Sequence, residues 1–318
     1  MVESIIEKLN KTYGKGTLIG GKDVAENLEV VDSGSLTLNL ATGIGGNPIG
    51  KLIEMFGPES SGKSTLSLHF TAEFQKAGKK CVLMDFEQSY DKKYAKTIGV
   101  DTENLVYCQP GSMEDGYNIA YELVKSGEIG LIVIDSHTAM TPQKVIEGDI
   151  GDAKMALQAR INSEALLKIK PLLKPNNCTI VAIAQLRTNI GGYGDPNVPS
   201  GGNAYKFYSD MRYKVSKSAD KEKELNKTTV EVIKNKCAAP FGKAEFKIEW
   251  GVGISREQEI IDLAVDFELL KKGGAGWYTV GDTKLQGDQA VKEFLRDNPE
   301  FSKELETNVL TKIKENGN

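Results

Sequence analysis

No stretch of this 318-residue chain approaches the ~20 consecutive apolar residues that cross a bilayer. Its opening residues, MVESIIEKLNK, lack the apolar core of a secretory signal. Membrane insertion and secretion are therefore not expected. Cysteine is also sparse: Cys81, Cys108, Cys178 and Cys237 stand alone, mostly in apolar strand-like contexts, without CxxC or Cys/His spacing. They read as reduced thiols of a cytosolic protein and argue against a structural zinc site. An excess of positive charge is missing too. Lys and Arg number 40 against 44 Asp and Glu, a formal net charge of −4, which argues against simple coating of a nucleic acid. Residues 256–318 hold nine basic and thirteen acidic residues and so carry that whole imbalance. Any polyanion site must be local.

What the chain does have is ordinary globular composition, 40% hydrophobic and 26% charged, with length for one large core or two domains. Before residue 250 its pattern alternates. CVLMDF (81–86), LIVID (131–135) and TIVAIA (179–184) are short apolar runs separated by segments of helical spacing such as STLSLHFTAEFQKAG. Alternation of this kind predicts an α/β fold with a mainly parallel sheet covered by helices, binding its ligands at the carboxyl ends of the strands.

One motif sits where that rule directs. A predicted strand, Leu52 to Phe56, runs into Gly57, Pro58, Glu59, Ser60, Ser61, Gly62, Lys63 and Ser64, followed by Thr65 and a helix. This matches the phosphate-loop spacing G-x-x-x-x-G-K-[ST] in its strand-loop-helix context. Loop N–H groups and the helix terminus attract phosphate, Lys63 reaches the β and γ phosphates, and the Ser64 hydroxyl can ligate Mg²⁺. Two carboxylates follow at strand ends. Asp135 can hold the metal's water shell, and Glu87 can orient or deprotonate an attacking water. From the residues alone Asp135 also reads as a helix cap or turn residue, and Glu87 as a surface carboxylate.

The segment QLRTNIGGYGDPNVPSGGNAYKF (185–207) has two glycine pairs, two prolines and no apolar period, so it is expected to hold neither helix nor strand along most of its length. Long irregular loops inside compact domains are usually functional or disordered.

Taken in order, GKG (14–16), GPESSGKST (57–65), IEGDIGD (146–152), GGNAYKFY (201–208), KNKCAAPF (234–241) and GAGWY (274–278) make the chain resemble the RecA-type bacterial recombinases and their phage relatives from about residue 14 to 300. The resemblance implies a RecA-like P-loop ATPase core with a short N-terminal helix and a small α+β C-terminal domain, divided 1–25, 26–255 and 256–318. It implies an ATP- and Mg²⁺-dependent strand-exchange enzyme that forms a helical filament on single-stranded DNA, pairs it with double-stranded DNA and acts in the cytoplasm, or a host's cytoplasm for a phage protein. Repressors or loaders are further expected partners.

By position, Glu87 matches the family's catalytic glutamate, Asp91 and Tyr94 its adenine contacts, and Trp250 a second aromatic near the base. Lys234 and Lys236 match lysines that a neighbouring subunit inserts at the γ-phosphate, although KNK alone reads as a solvated basic turn. Gln185 matches a glutamine that senses the γ-phosphate. DNA contact is implied for residues 146–155 and for the glycine-rich segment: Gly201, Gly202 and Asn203 at phosphates, Arg160 and Arg187 adding charge, and Met155 wedging between bases. Without the family, 146–155 reads as an acidic capping turn. Phe207 and the stripe Val2, Ile5, Ile6, Leu9, with a short strand near Thr17 to Ile19, match subunit contacts; the stripe equally fits a helix packed on its own core. On the same fold core, a ring-forming motor and a filament acting as a scaffold for repressor cleavage or end protection remain alternatives.

The departures have a measurable consequence. Thr188, Asn189, Leu167 and Glu231 stand where some relatives carry apolar or basic side chains, and Tyr193 replaces a loop phenylalanine. Fewer cations release fewer counterions, so the log of DNA affinity is expected to fall less steeply with log salt than for a relative with a basic loop. Fluorescence anisotropy across a salt series checks this, and an equal slope in the two proteins would refute it.

Overall fold

The computed structural model describes residues 2–14, 18, 28–149, 156–188, 197–199, 201–217 and 225–316. From the amino terminus, helix α1 (Val2–Tyr13) precedes a two-stranded antiparallel pair, β1 (Val30–Val31) and β2 (Asn47–Pro48), which brackets α2 (Leu36–Ala41). The alternating region supplies β3 (Leu52–Gly57), α3 (Lys63–Lys76), β4 (Lys80–Asp85), α4 (Lys92–Ile98), β5 (Val106–Cys108) and α5 (Met113–Ser126). It continues with β6 (Ile129–Asp135), α6 (Gln143–Ile146), α7 (Leu157–Leu173) and β7 (Thr179–Thr188). After β8 (Asn197–Pro199) and α8 (Ala204–Tyr208) come β9 (Met211–Lys217), β10 (Leu225–Asn235), β11 (Lys243–Glu249) and β12 (Gly253–Ile254).

Neighbouring strands in the main sheet follow the order β12, β11, β10, β9, β3, β7, β6, β4, β5. From β9 to β5 every pairing is parallel; from β9 to β12 every pairing is antiparallel. The parallel strands read as unbroken apolar runs because both faces are covered. Leu52, Val82, Ile132 and Ile180 pack with α5 and α7, while Ile53, Leu83, Val133 and Val181 pack with Leu66, Phe70 and Phe74 of α3. Local signals agree with this placement. The Ser112 hydroxyl caps α5 by accepting from the Asp115 N–H, two acidic residues lie in its first turn, and Gly127 ends it in a left-handed conformation.

Two features depart from the sequence reading. The segment after TIVAIA is not irregular from its start: β7 continues through Gln185 to Thr188 because Leu186, Arg187 and Thr188 pair with Pro199, Val198 and Asn197 of β8. Residues 204–208 then form α8. Secondly, β9 to β12 extend the parallel sheet by an antiparallel meander whose alternate polar positions hid it from a search for continuous apolar runs. Of the strand expected near Thr17 to Ile19 only Leu18 lies within the described residues; its N–H and C=O both bond the Asn10 side chain at 2.8 Å. Within α1, Ile5 is exposed and Ile6 and Leu9 are partly covered. Cys81 and Cys178 are buried free thiols, both pushed up to about 12 by burial.

The carboxyl-terminal part comprises α9 (Arg256–Asp266), a three-stranded antiparallel sheet of β13 (Lys271–Lys272), β14 (Trp277–Val280) and β15 (Thr283–Gln286), then α10 (Asp288–Asp297) and α11 (Pro299–Asn316). Its apolar core includes Ile260, Ile261, Tyr278, Val291 and Leu295, together with Leu36 from α2. Glu259 fixes that junction. Its buried carboxylate accepts from Ser35 Oγ (2.7 Å), Leu36 N (3.1 Å), Thr37 N (3.1 Å) and Thr37 Oγ1 (2.6 Å), capping α2 from a different part of the chain. Burial raises its pKa, and these donors offset the rise only in part. Glu259→Ala strips the acceptors from two buried and two partly buried donors, and Glu259→Gln turns an amide donor toward backbone N–H groups. Both are expected to lower stability by about 2–4 kcal/mol, from the cost of orphaned buried donors. Calorimetry checks this; an unchanged melting temperature in both variants contradicts it.

Candidate active site

The carboxyl ends of β3, β4, β6 and β7 open into a cleft of about 830 Å³, a size suited to a nucleotide. One wall is the loop Gly57 to Gly62. Gly62 has φ +97°, and a Cβ there would meet the Ile248 Cδ1 at 2.4 Å, so the turn that feeds α3 requires glycine. Glu59, Ser60, Ser61, Lys63, Ser64 and Thr65 all line the cleft. The Lys63 ammonium donates to the Pro58 carbonyl at 2.6 Å. Burial lowers its pKa, and the carboxylates of Asp135, Glu87 and Glu59 work against that. It is a cation held ready among anions.

Opposite it, Asp135 is pushed up to about 6 by burial, helped by Glu87 and Asp85, while the Ser64 hydroxyl and Lys63 pull it down. Glu87 is fixed from two sides. The Ser136 hydroxyl donates to its Oε1, and Gln185 Nε2 lies 2.9 and 3.0 Å from its two oxygens. Gln185 is anchored in turn, its N–H donating to Thr138 Oγ1 at 3.1 Å, and Ser136 and Thr138 share a hydroxyl contact of 3.1 Å. A carboxylate held this way is fixed in orientation, which suits a group that could face a reacting water.

At the far end of the cleft, Asp91 caps α4 by accepting from the Lys93 and Tyr94 N–H groups. The Tyr94 hydroxyl lies 3.2 Å from Thr65 Oγ1. Trp250 lines the mouth with 76% of its surface open to solvent. An aromatic so exposed, lining the same cleft as Tyr94, offers a face on which a planar base can stack.

The structure thus brings Gly62, Lys63, Ser64, Glu87, Asp91, Tyr94, Asp135, Gln185 and Trp250 to one cleft. It does not bring Lys234 and Lys236 there. They lie at the opposite end of β10 from Thr228, which borders the cleft, and Lys234 Nζ donates to the carbonyls of Lys206 (2.7 Å) and Phe207 (3.0 Å). Lys217, Thr228 and Ile248 also line the cleft and escaped sequence reading. They sit on antiparallel strands at ordinary alternating positions, so no local motif marks them.

The candidate nucleic-acid residues separate in the same way. Exposed Arg160 lies on α7, and the second glycine pair docks against that helix: the Asn162 amide donates to the Gly201 carbonyl at 2.8 Å, and a Cβ on Gly202 would lie 2.5 Å from the Ala159 Cβ. Asn203 is exposed at the start of α8, and Phe207 on the same helix is 67% exposed. Arg187 lies in β7, its side chain outside the described residues, as are Met155 and Tyr193.

A family model described as the RecA N-terminal domain matches residues 1–255, and one described as the RecA C-terminal domain matches 258–314. Among curated proteins, the chain is 46% identical over 315 residues to Protein RecA of Porphyromonas gingivalis, covering 97% of this chain and 92% of that one. It is 46% identical over 312 residues to Protein RecA of Bacteroides thetaiotaomicron, with 96% and 94% covered. For Protein RecA of Campylobacter jejuni the identity is 45% over 313 residues, with 96% and 91% covered.

The cleft geometry yields a direct binding test. Because Trp250 stands at its mouth and Trp277 lies away from it on β14, ATP is expected to quench emission in the native chain and to have no such effect in Trp250→Phe. Lys63→Ala removes a charge-assisted contact and is expected to raise the half-saturating ATP concentration about 10- to 100-fold. Unchanged saturation in Lys63→Ala would exclude the phosphate role.

Proposed function

The chain belongs to the RecA family and is an ATP-dependent DNA recombinase, and on that premise we propose which of its residues perform each step. The observation that carries the assignment is Glu87, locked by Ser136 and Gln185 in the same cleft as Lys63, Ser64 and Asp135. Lys63 and the loop N–H groups hold the β and γ phosphates of ATP. Asp91, Tyr94 and Trp250 receive the base.

The oxygen donors Ser64 and Asp135 fit Mg²⁺. Burial, with the neighbouring carboxylates Glu87 and Asp85, raises the protonation tendency of Asp135, and a cation beside these carboxylates would offset their mutual repulsion. Bound Mg²⁺ would neutralise charge on the phosphates. Glu87 orients an attacking water and accepts its proton, and Gln185, touching that carboxylate, registers whether the γ-phosphate is present. Lys234 and Lys236 act across a subunit boundary: they are remote from their own cleft, which supports their insertion into a neighbour's, where they would stabilise charge on the transferring phosphoryl group.

In the filament, Arg160, Gly201, Gly202 and Asn203 track the phosphates of single-stranded DNA, joined by Arg187 and by Met155. Base pairing with a duplex performs the homology search, and hydrolysis permits release. Phe207 and α1 meet the next subunit. We divide the chain into a docking segment (1–25), an ATPase and DNA-binding core (26–255) and a small C-terminal domain (256–318). No helix among the described residues is long and apolar enough to cross a membrane, and we assign the protein to the cytoplasm.

Glu87→Gln is expected to assemble on single-stranded DNA with ATP while its turnover falls by about 10²-fold or more. Joint-molecule formation by the native chain with a slowly hydrolysed ATP analogue tests the pairing role, since pairing needs filament and homology whereas a ring motor needs hydrolysis. Filaments that form no joint molecules would refute it, and so would retained turnover in Glu87→Gln for the catalytic assignment.

A further inference from the structure

Both ends of the glycine-rich segment are tied to Glu87. The leading end is direct, through Gln185. The trailing end is tied through the turn 136–140. Ser136 and Thr138 of that turn hold Glu87 and Gln185, while between them His137 points away and stacks on Tyr205 of α8, with centroids 3.8 Å apart and planes at 19°. The Tyr205 hydroxyl lies 3.0 Å from that of Tyr117, and the Tyr117 hydroxyl donates to Asn162 Oδ1. Since the one Tyr117 proton is used on Asn162, Tyr205 donates to Tyr117. Asn162 Nδ2 closes the chain on the Gly201 carbonyl.

A parallel strut reinforces it. Gln158, one turn earlier on α7, donates to the Met140 carbonyl at 3.1 Å. His137, Tyr205, Tyr117 and Asn162 are all buried, and Glu54 and Arg212 form a buried ion pair beside His137. His137 Nε2 is 3.7 Å from Glu54, beyond hydrogen-bond length, and neither ring nitrogen has a hydrogen-bond partner among the described residues. The ring is therefore held on Tyr205 by stacking, a close contact through which a shift of residue 137 presses on the Tyr205 ring. The hydroxyl and amide links on either side do not stretch without losing a partner in a site that water does not reach.

We propose that His137, Tyr205, Tyr117 and Asn162 are positioning residues that couple the nucleotide state at Glu87 to the docking of Gly201, so that ATP sets the DNA-contacting segment from its trailing end as well as through Gln185. The proposal rests on the assignment of residues 201–203 to DNA phosphates. A shift of Glu87 and Gln185 on binding the γ-phosphate moves Ser136 and Thr138, and the directional chain carries that movement to Gly201. Coupling of this kind between two ligands is reciprocal and commonly on the order of 5–150-fold.

The test uses the full chain and a short single-stranded oligonucleotide, titrated with no nucleotide, with ADP and with a slowly hydrolysed ATP analogue. Native protein is expected to bind DNA more tightly with the analogue. In Tyr117→Phe the tightening factor should shrink about tenfold, and the enhancement of analogue binding by DNA should shrink by the same factor, while analogue affinity without DNA stays unchanged. Asn162→Ala, which cuts the link at Gly201 itself, provides the same readout if Tyr117→Phe fails to fold. A loss of DNA affinity equal in all nucleotide states means that these residues merely dock the loop, and it overturns the proposal; so does a folded variant with the native tightening factor. If the native chain shows no tightening at all, the DNA assignment falls and the proposal with it.

Discussion

Register in the central parallel strands is the constraint on which the site depends. Gly57 of β3 pairs with Gln185 of β7, and Asp85 of β4 pairs with Asp135 of β6, so the start of the glycine loop, the Gln185 amide and the strand-end carboxylates stop at one level. A slip of one residue would turn every side chain of a strand to the opposite face. Gln185 would then leave Glu87 and enter the apolar layer, and Ile53 and Leu52 would exchange partners between α3 and the α5/α7 layer. The apolar burial that stabilises the sheet is therefore the same interaction that aims the chemistry. With Leu52, Ile53, Ile132, Val181 and their neighbours almost wholly buried, slippage would expose several side chains, each contributing about 1.5–3 kcal/mol by its burial.

That rigid frame tolerates an electrostatic arrangement that would not persist in a softer one. Lys63 and Asp135 are both buried, and that burial, with Glu87 and Asp85 close by, raises Asp135 to about 6. Asp85 is already occupied: it accepts from the N–H groups of Glu87 and Tyr90 and from the Tyr107 hydroxyl, each at 3.0–3.1 Å. Its role is to shape the turn that presents Glu87, which leaves Asp135 as the carboxylate with capacity for a cation's shell. Glu54 shows the complementary solution. Burial pushes its carboxyl up, but His137 and Arg212 outweigh that and hold it below its ordinary value.

How much of this was legible in the sequence follows from the range of each interaction. The phosphate loop, Glu87 and Asp135 were readable because strand, glycine turn and reactive residue are contiguous, and TIVAIA, LIVID and CVLMDF were readable because two-sided burial leaves no alternation. Lys217, Thr228 and Ile248 were not, since they reach the cleft only through the pairing of β9, β10 and β11. The continuation of β7 to Thr188 depended on β8, which begins nine residues further on, and glycine content masked it. The Glu259 cap on α2 spans more than 220 residues and has no local signature. Motif reading recovered residue types whose chemistry is local; the partners that orient them are products of topology.

The same distinction bears on how a ligand can act at a distance here. The interior on either side of the sheet is close-packed and apolar, which resists gradual deformation and passes small displacements on as rigid-body shifts. The polar thread from Ser136 to Gly201 crosses the α5/α7 layer where Tyr117, Asn162 and Tyr205 replace apolar packing. Its hydrogen-bonded part, from Tyr205 to Gly201, has few satisfied arrangements, because a half-broken one leaves buried donors without acceptors. Placed between Glu87 and Gly201, it therefore favours two distinct settings over a continuum.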